Sequence, residues 1–203
     1  MFPFDAILFD VGGVLLTNGW DHRERAIVLG QFHLDTAEFE SRHSLPNDAW
    51  ERDAITVKEY LDATVFYTQR SFTHEQFLDA IRAQSQLLPD GAMEILRSLA
   101  TEDRCMLGVL NNEARETNDY RFDRFGIRPH IEVAFSSCYL GLRKPGAAIY
   151  RRALDILGKP AARVLFIDDR AENAAGAEAQ GMKAIRFTGA EALRSELGRI
   201  GVF

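Results

Sequence analysis

Three short apolar runs most constrain what this chain can fold into: DAILF at 5–9, MLGVLN at 106–111 and VLFIDD at 164–169. Each is apolar almost throughout, as expected of strands buried on both faces. Helical patterns lie between them. A helix is expected over 91–100, and a second over 113–125 ending at Gly126. IEVAFSS, 131–137, and KAIRF, 183–187, read as two further strands. Pro145 suits the first helical position, with Ile149, Ala153 and Leu157 as the inner stripe that follows. The helix 171–180 stops at Gly181, and Thr188 with Glu191 is expected to cap the last helix. Alternating buried strands and helices imply an α/β fold, a parallel sheet flanked by helices on both faces.

Residues 17–87 break this alternation and read as an all-helical insert. Asp35 with Glu38, Thr56 with Glu59, and Thr73 with Gln76 each have capping-box spacing. Tyr60, Leu61 and Val65 share one helix face, as do Phe77, Ile81 and Leu88. NDAWERD, 47–53, is the most polar connecting stretch. The expected division is a core of 1–16 and 88–203 and a helical cap of 17–87.

A chain of 203 residues, 46% hydrophobic, suits one main core with a smaller lobe. Its formal charge of −6 argues against a general binder of nucleic acid or anionic membrane. Cys105 and Cys138 are expected to be free thiols in or near the core. No basic leader precedes the first apolar run, and no stretch approaches the roughly 20 apolar residues of a membrane span. The expected location is the cytoplasm, as a monomer or small homo-oligomer.

Ligands of parallel sheets bind beyond the carboxyl ends of the strands. Asp10, Asn111, Asn112, Asp168 and Asp169 all gather there. Adjacent carboxylates at 168 and 169 would repel each other unless a cation intervened, and magnesium prefers such oxygen donors. Their plainer role is to cap the next helix; Asp10 on a second strand end favours the metal. Gly12 and Gly13 allow a tight turn and bring backbone groups close to a ligand. Lys144, before Pro145 at a helix start, suits an anion or the Asp10 carboxylate, whereas Arg143 is expected to face solvent. The five histidines show no metal-ligand spacing and read as surface or cap positions. Phosphate-loop, dinucleotide and serine-elbow motifs are absent.

FDVGGVL, VLNN, the lysine of RKP, and FIDD with Asn173 occur in an order that resembles the haloacid dehalogenase-like hydrolase superfamily, in the branch with a helical cap after the first strand. The resemblance implies a Rossmann-like core and a magnesium-dependent phosphatase of a small phosphorylated metabolite, such as a sugar phosphate. It implies Asp10 as nucleophile and metal ligand, the Gly12 carbonyl and Asp169 as further ligands, and Asp168 close by. Asn111, Asn112, Gly12, Gly13 and Lys144 would hold the phosphoryl group, and Asn173 would support the acidic loop. Where the family carries a second aspartate, this chain has Gly12. That departure leads to the expectation of a weakened enzyme, favouring activated leaving groups, or of a nearly inactive phosphate-binding protein. Dehalogenation of a 2-haloacid needs no magnesium, so the acidic pair speaks against it.

Overall fold

In the computed structural model, which describes residues 2–203, the apolar runs become neighbouring strands. The strands are β1 (Ala6–Phe9), β2 (Met106–Asn111), β3 (Val133–Ser136), β4 (Val164–Asp168) and β5 (Lys183–Arg186). They form one sheet in the order β3-β2-β1-β4-β5, and every pairing is parallel. Side-chain alternation then divides β1 between two cores. Ile7 and Phe9 pack with Leu96 and Leu99 of α5 (Met93–Glu102) and Leu193 and Leu197 of α10 (Ala190–Arg199). Ala6 and Leu8 pack with Ile149 and Ala153 of α8 (Ala147–Leu157) and Ala177 of α9 (Ala171–Glu178). The expected sheet flanked on both faces is therefore present. Helix α6 (Arg115–Arg124) and the single turn α7 (Ser137–Leu140) complete this part of the chain.

Four helices stand between β1 and α5: α1 (His22–Gln31), α2 (Thr36–Glu51), α3 (Val57–Thr64) and α4 (His74–Ala83). Thr56 with Glu59 and Thr73 with Gln76 form complete capping boxes, while Asp35 accepts from Glu38 N in one direction. Phe39, Trp50, Tyr60 and Phe77 anchor a separate aromatic core for this helical insert. At its base, Leu16 and Leu87 meet in an antiparallel bridge.

Several local expectations need correction. The polar stretch 47–53 is largely the last turn of α2, and it carries the buried Trp50. Leu88 lies beyond α4 and packs on the sheet core with α5 rather than beside Phe77. Pro145 is not the first residue of α8: Gly146 is the N-cap, after a turn closed from Gly146 N to Arg143 O. Gly189, not Thr188, caps α10; the Ala190 N–H is held by Asp90 instead of a hydroxyl. Cys105 and Cys138 are free thiols, as expected. No helix among the described residues is long and apolar enough to cross a membrane.

Gly108 shows how tightly the sheet is built. A Cβ there would lie 2.6 Å from Val133 Cγ1 and 2.8 Å from Val133 O across the β2–β3 pair. Gly108→Ala should therefore destabilise the protein by about 1–3 kcal/mol, the usual range for overpacking. Gly30→Ala on α1, where a Cβ meets nothing within 4 Å, should instead gain about 0.5 kcal/mol. Urea unfolding of both variants checks the pair, and equal midpoints would refute the close approach at Gly108.

Candidate active site

Parallel register decides which polar residues meet. Phe9 of β1 lies opposite Ile167 of β4, so the next residues, Asp10 and Asp168, leave the sheet side by side. The chain after β1 then turns sharply, with Leu16 O accepting from Gly13 N. Gly13 has φ 73°, and a Cβ there would fall 2.3 Å from Asp169 Oδ2. Only glycine combines that backbone with room for the carboxylate. Oxygens of Asp10, Asp168 and Asp169 come within 4.8 Å of one another.

Lys144 binds this cluster together. Its ammonium lies 2.6 Å from Asp168 Oδ2 and 3.0 Å from Asp10 Oδ1, with the whole residue 4% exposed. Pairing with the Asp10 carboxylate is one of the two roles expected for Lys144; the turn at 143–146 separates it from the start of α8. Asp168, fully buried, also accepts from Arg170 N at 2.8 Å and from Asn173 Nδ2 at 3.0 and 3.1 Å. Its two oxygens are thus fully engaged by protein donors. Asp169 Oδ1 is different: it is buried with no hydrogen-bond partner. A buried carboxylate oxygen without a donor is costly unless a cation completes it. The all-oxygen donor set suits a hard divalent ion such as magnesium.

Burial raises the Asp10 carboxyl from its ordinary 3.8 to about 7, against the pull of Lys144 and with the help of Asp168. Burial and Asp168 raise Asp169 as well. Burial alone would lower Lys144, but Asp10 and Asp168 outweigh it and leave the ammonium above its usual range.

The expectation of a weakened enzyme, drawn from the glycine at position 12, is corrected by this geometry. The aspartate cluster stands assembled at the end of β1, with Asp10, Asp168 and Asp169 together. Three assembled carboxylates with a neutralising lysine beside them argue against marking the enzyme down. The nearly inactive binding protein loses its motive with it.

Other expected residues divide. Asn112 uses both ends of its amide on the Lys144 backbone, donating one N–H to Lys144 O at 2.9 Å and accepting from Lys144 N at 2.9 Å. Asn111 turns away from the cluster: it donates to Asn118 Oδ1 and accepts from Ser136 Oγ, both at 2.8 Å. Arg143, expected in solvent, ion-pairs with Asp48 at 2.8 Å and Glu51 at 2.6 Å, joining the loop before Lys144 to α2.

A cavity of about 470 Å³ opens over the cluster, floored by Asp10, Gly12, Asn112 and Lys144. From the insert, His43, Asn47 and Glu51 of α2 line it. His43 is 6% exposed and so is no surface residue. Asn47 and Glu51 lay inside the supposed connection. Their spacing from His43, four and eight residues, is the signal that marks a helix face.

The raised Asp10 carboxyl has a measurable consequence. A folded-state value above the unfolded one means that the folded protein holds the proton more tightly. Stability from this group is then present at low pH and lost as pH rises from 3.8 to about 7. In chelator, Asp10→Asn should flatten that portion of the Tm–pH profile; an unchanged slope would refute the burial effect.

Relatives place the chain. Flavin mononucleotide hydrolase 1 of Arabidopsis thaliana is 28% identical over 185 residues, covering 87% of this chain and 74% of that protein. Sesquiterpene phosphatase astK of Aspergillus oryzae is 27% identical over 210 residues, covering 97% and 96%. Among solved structures, the magnesium complex of a HAD family enzyme from Bacteroides thetaiotaomicron superposes with a TM-score of 0.79 at 18% identity, covering 92% of this chain and 94% of that one. The haloacid dehalogenase-like hydrolase family matches residues 4–181, and the chain belongs to that family.

Proposed function

We propose that this protein is a magnesium-dependent phosphatase that cleaves a small phosphomonoester, such as a sugar phosphate, through an aspartyl-phosphate on Asp10. One observation carries the reading: Lys144 lies between Asp10 and Asp168 while Asp169 Oδ1 stays buried and unpaired beside them. Relatives that hydrolyse flavin mononucleotide or act as a sesquiterpene phosphatase agree with phosphoester chemistry. The proposal includes a core of 1–16 and 88–203 and a cap of 17–87, supported by the Leu16–Leu87 bridge at the base of the insert.

Asp10, the Gly12 carbonyl and Asp169 would hold magnesium, with Asp168 near it. When bound, the ion supplies positive charge to the phosphoryl oxygens. Asp10 attacks phosphorus through a carboxylate oxygen; the new O–P bond forms as the bond to the leaving oxygen breaks, and that oxygen takes a proton from solvent water. Water then attacks phosphorus, phosphate departs and the Asp10 carboxylate is restored. Lys144 favours the ionised form of Asp10 against the effect of burial and balances charge gathering on the phosphoryl group. Gly12, Gly13 and Asn112 contribute to the phosphate floor. Asn111, tied to Asn118 and Ser136, would act by fixing the end of β2. Asn173 orients Asp168. Dehalogenation would leave the Asp169 oxygen without a cation and is the poorer account.

Two measurements test this reading. With magnesium present, Asp10→Asn should form no phosphoenzyme and lose on the order of 10⁴-fold or more in phosphate release. Lys144→Ala should lose about 10²–10³-fold. Phosphate release identical in wild type and Asp10→Asn would overturn nucleophilic catalysis. Calorimetric titration should show magnesium binding at least about 10-fold weaker in Asp169→Ala. Equal binding would remove Asp169 from the ligand set.

A further inference from the structure

The wall of the cavity opposite the carboxylates contains a hydrogen-bond chain that the reaction above does not use. Trp20 Nε1 donates to Tyr60 Oη at 2.8 Å, and Tyr60 Oη lies 2.8 Å from His43 Nδ1. Indole nitrogen is a donor only, so Tyr60 must accept from Trp20. Tyr60 is fully buried, and burial holds its phenol protonated. Its own proton needs an acceptor, and His43 Nδ1 is the one beside it. His43 Nδ1 therefore accepts, and a neutral ring must carry its proton on Nε2. Burial first, then Arg25, lowers His43 to about 4, so the ring is neutral at ordinary pH. No protein group among the described residues bonds Nε2, and His43 lines the cavity.

Asn47 lies one turn further along α2 and lines the same cavity. Its Nδ2 donates to Glu51 Oε1 at 2.9 Å, which fixes which end of the amide is oxygen. Asn47 Oδ1 is buried and has no donor. One wall thus offers the free N–H of His43, with the Asn47 oxygen buried behind it one turn along the same helix.

We propose that His43 determines specificity: its Nε2–H donates to an oxygen of the leaving group. The substrate class is a polyhydroxylated phosphomonoester, a polyol or sugar phosphate, and the inference rests on the phosphatase reading above. A wholly apolar leaving group would bury the His43 N–H unpaired, which sites of this kind penalise heavily. Tyr60 is a positioning residue; it acts through the tautomer of His43 and touches no substrate.

Nitrogen-15 NMR of the whole protein tests the wall directly. Wild type should show the His43 Nε2–H tautomer, and Tyr60→Phe should show a mixture; an Nδ1–H ring in wild type would overturn the proposal. Kinetics test the recognition, with ribose 5-phosphate and sorbitol 6-phosphate compared against ethyl phosphate. His43→Phe should lower the ratio of kcat/KM for the hydroxylated esters over ethyl phosphate by about 10-fold or more, mainly through KM. His43→Gln, which restores an N–H near the same place, should recover part of that ratio. An unchanged ratio in His43→Phe would overturn the proposal. If wild type turns over none of these esters, the phosphatase reading fails, and the His43 Nε2–H signal decides recognition separately. A shift on adding ribose 5-phosphate supports the wall as a binding surface, and no shift overturns it.

Discussion

Everything at this site depends on one buried ammonium between two carboxylates. Asp10, Asp168 and Lys144 are all nearly excluded from solvent. Removing one partner from such a group costs about 3–5 kcal/mol, because the remaining charges stay buried without compensation. Parallel pairing creates the problem: with Phe9 opposite Ile167, β1 and β4 release their acids at the same level. Lys144 comes from elsewhere in the chain, and Asn112 clasps its backbone on both sides. One lysine does not balance three carboxylates. Asp169 is left with Oδ1 buried and unpaired, while its Oδ2 lies against Gly13, where a Cβ would fall 2.3 Å from it.

The sheet was legible because its strands are short and apolar without interruption. A run such as AILF or VLFI has no second plausible use in a chain of this composition. Strand ends follow directly, and so does the convergence of Asp10, Asp168 and Asp169, which needs only topology. Helix starts were legible where side chain and backbone satisfy each other locally, as at Thr56 and Thr73. They were misread at Pro145 and Thr188, where a turn or the distant Asp90 supplies the bonds.

The misreadings near the cavity share one cause. Periodicity reports burial against apolar protein, whereas a helix face lining a ligand cavity is buried and polar together. Asn47 and Glu51 therefore resemble a loop, and His43 resembles a surface residue. Arg143 was misjudged for the converse reason: its partners, Asp48 and Glu51, come together with it only in the fold, as do the partners of Asn111, Asn118 and Ser136. Position 12 carries a related lesson. Counting one missing carboxylate in a motif says little about a site whose acids are assembled from two strands.

Arg143 makes the floor and the wall of the cavity one connected piece. It directly precedes Lys144, whose backbone Asn112 holds, and its guanidinium reaches Asp48 and Glu51 on α2. Glu51 in turn receives the Asn47 amide, which orients the free carbonyl oxygen on the wall. Arg170, at the other side, joins the loop after Asp169 to Asp21 ahead of α1. Exposed pairs such as Arg170–Asp21 add little stability by themselves. Their consequence is geometric: the loop that carries Lys144 is tied to α2, which carries His43 and Asn47, and the loop after Asp169 is tied to the start of α1. The carboxylates and lysine on the floor and the polar face of α2 on the wall are thereby held at a set separation.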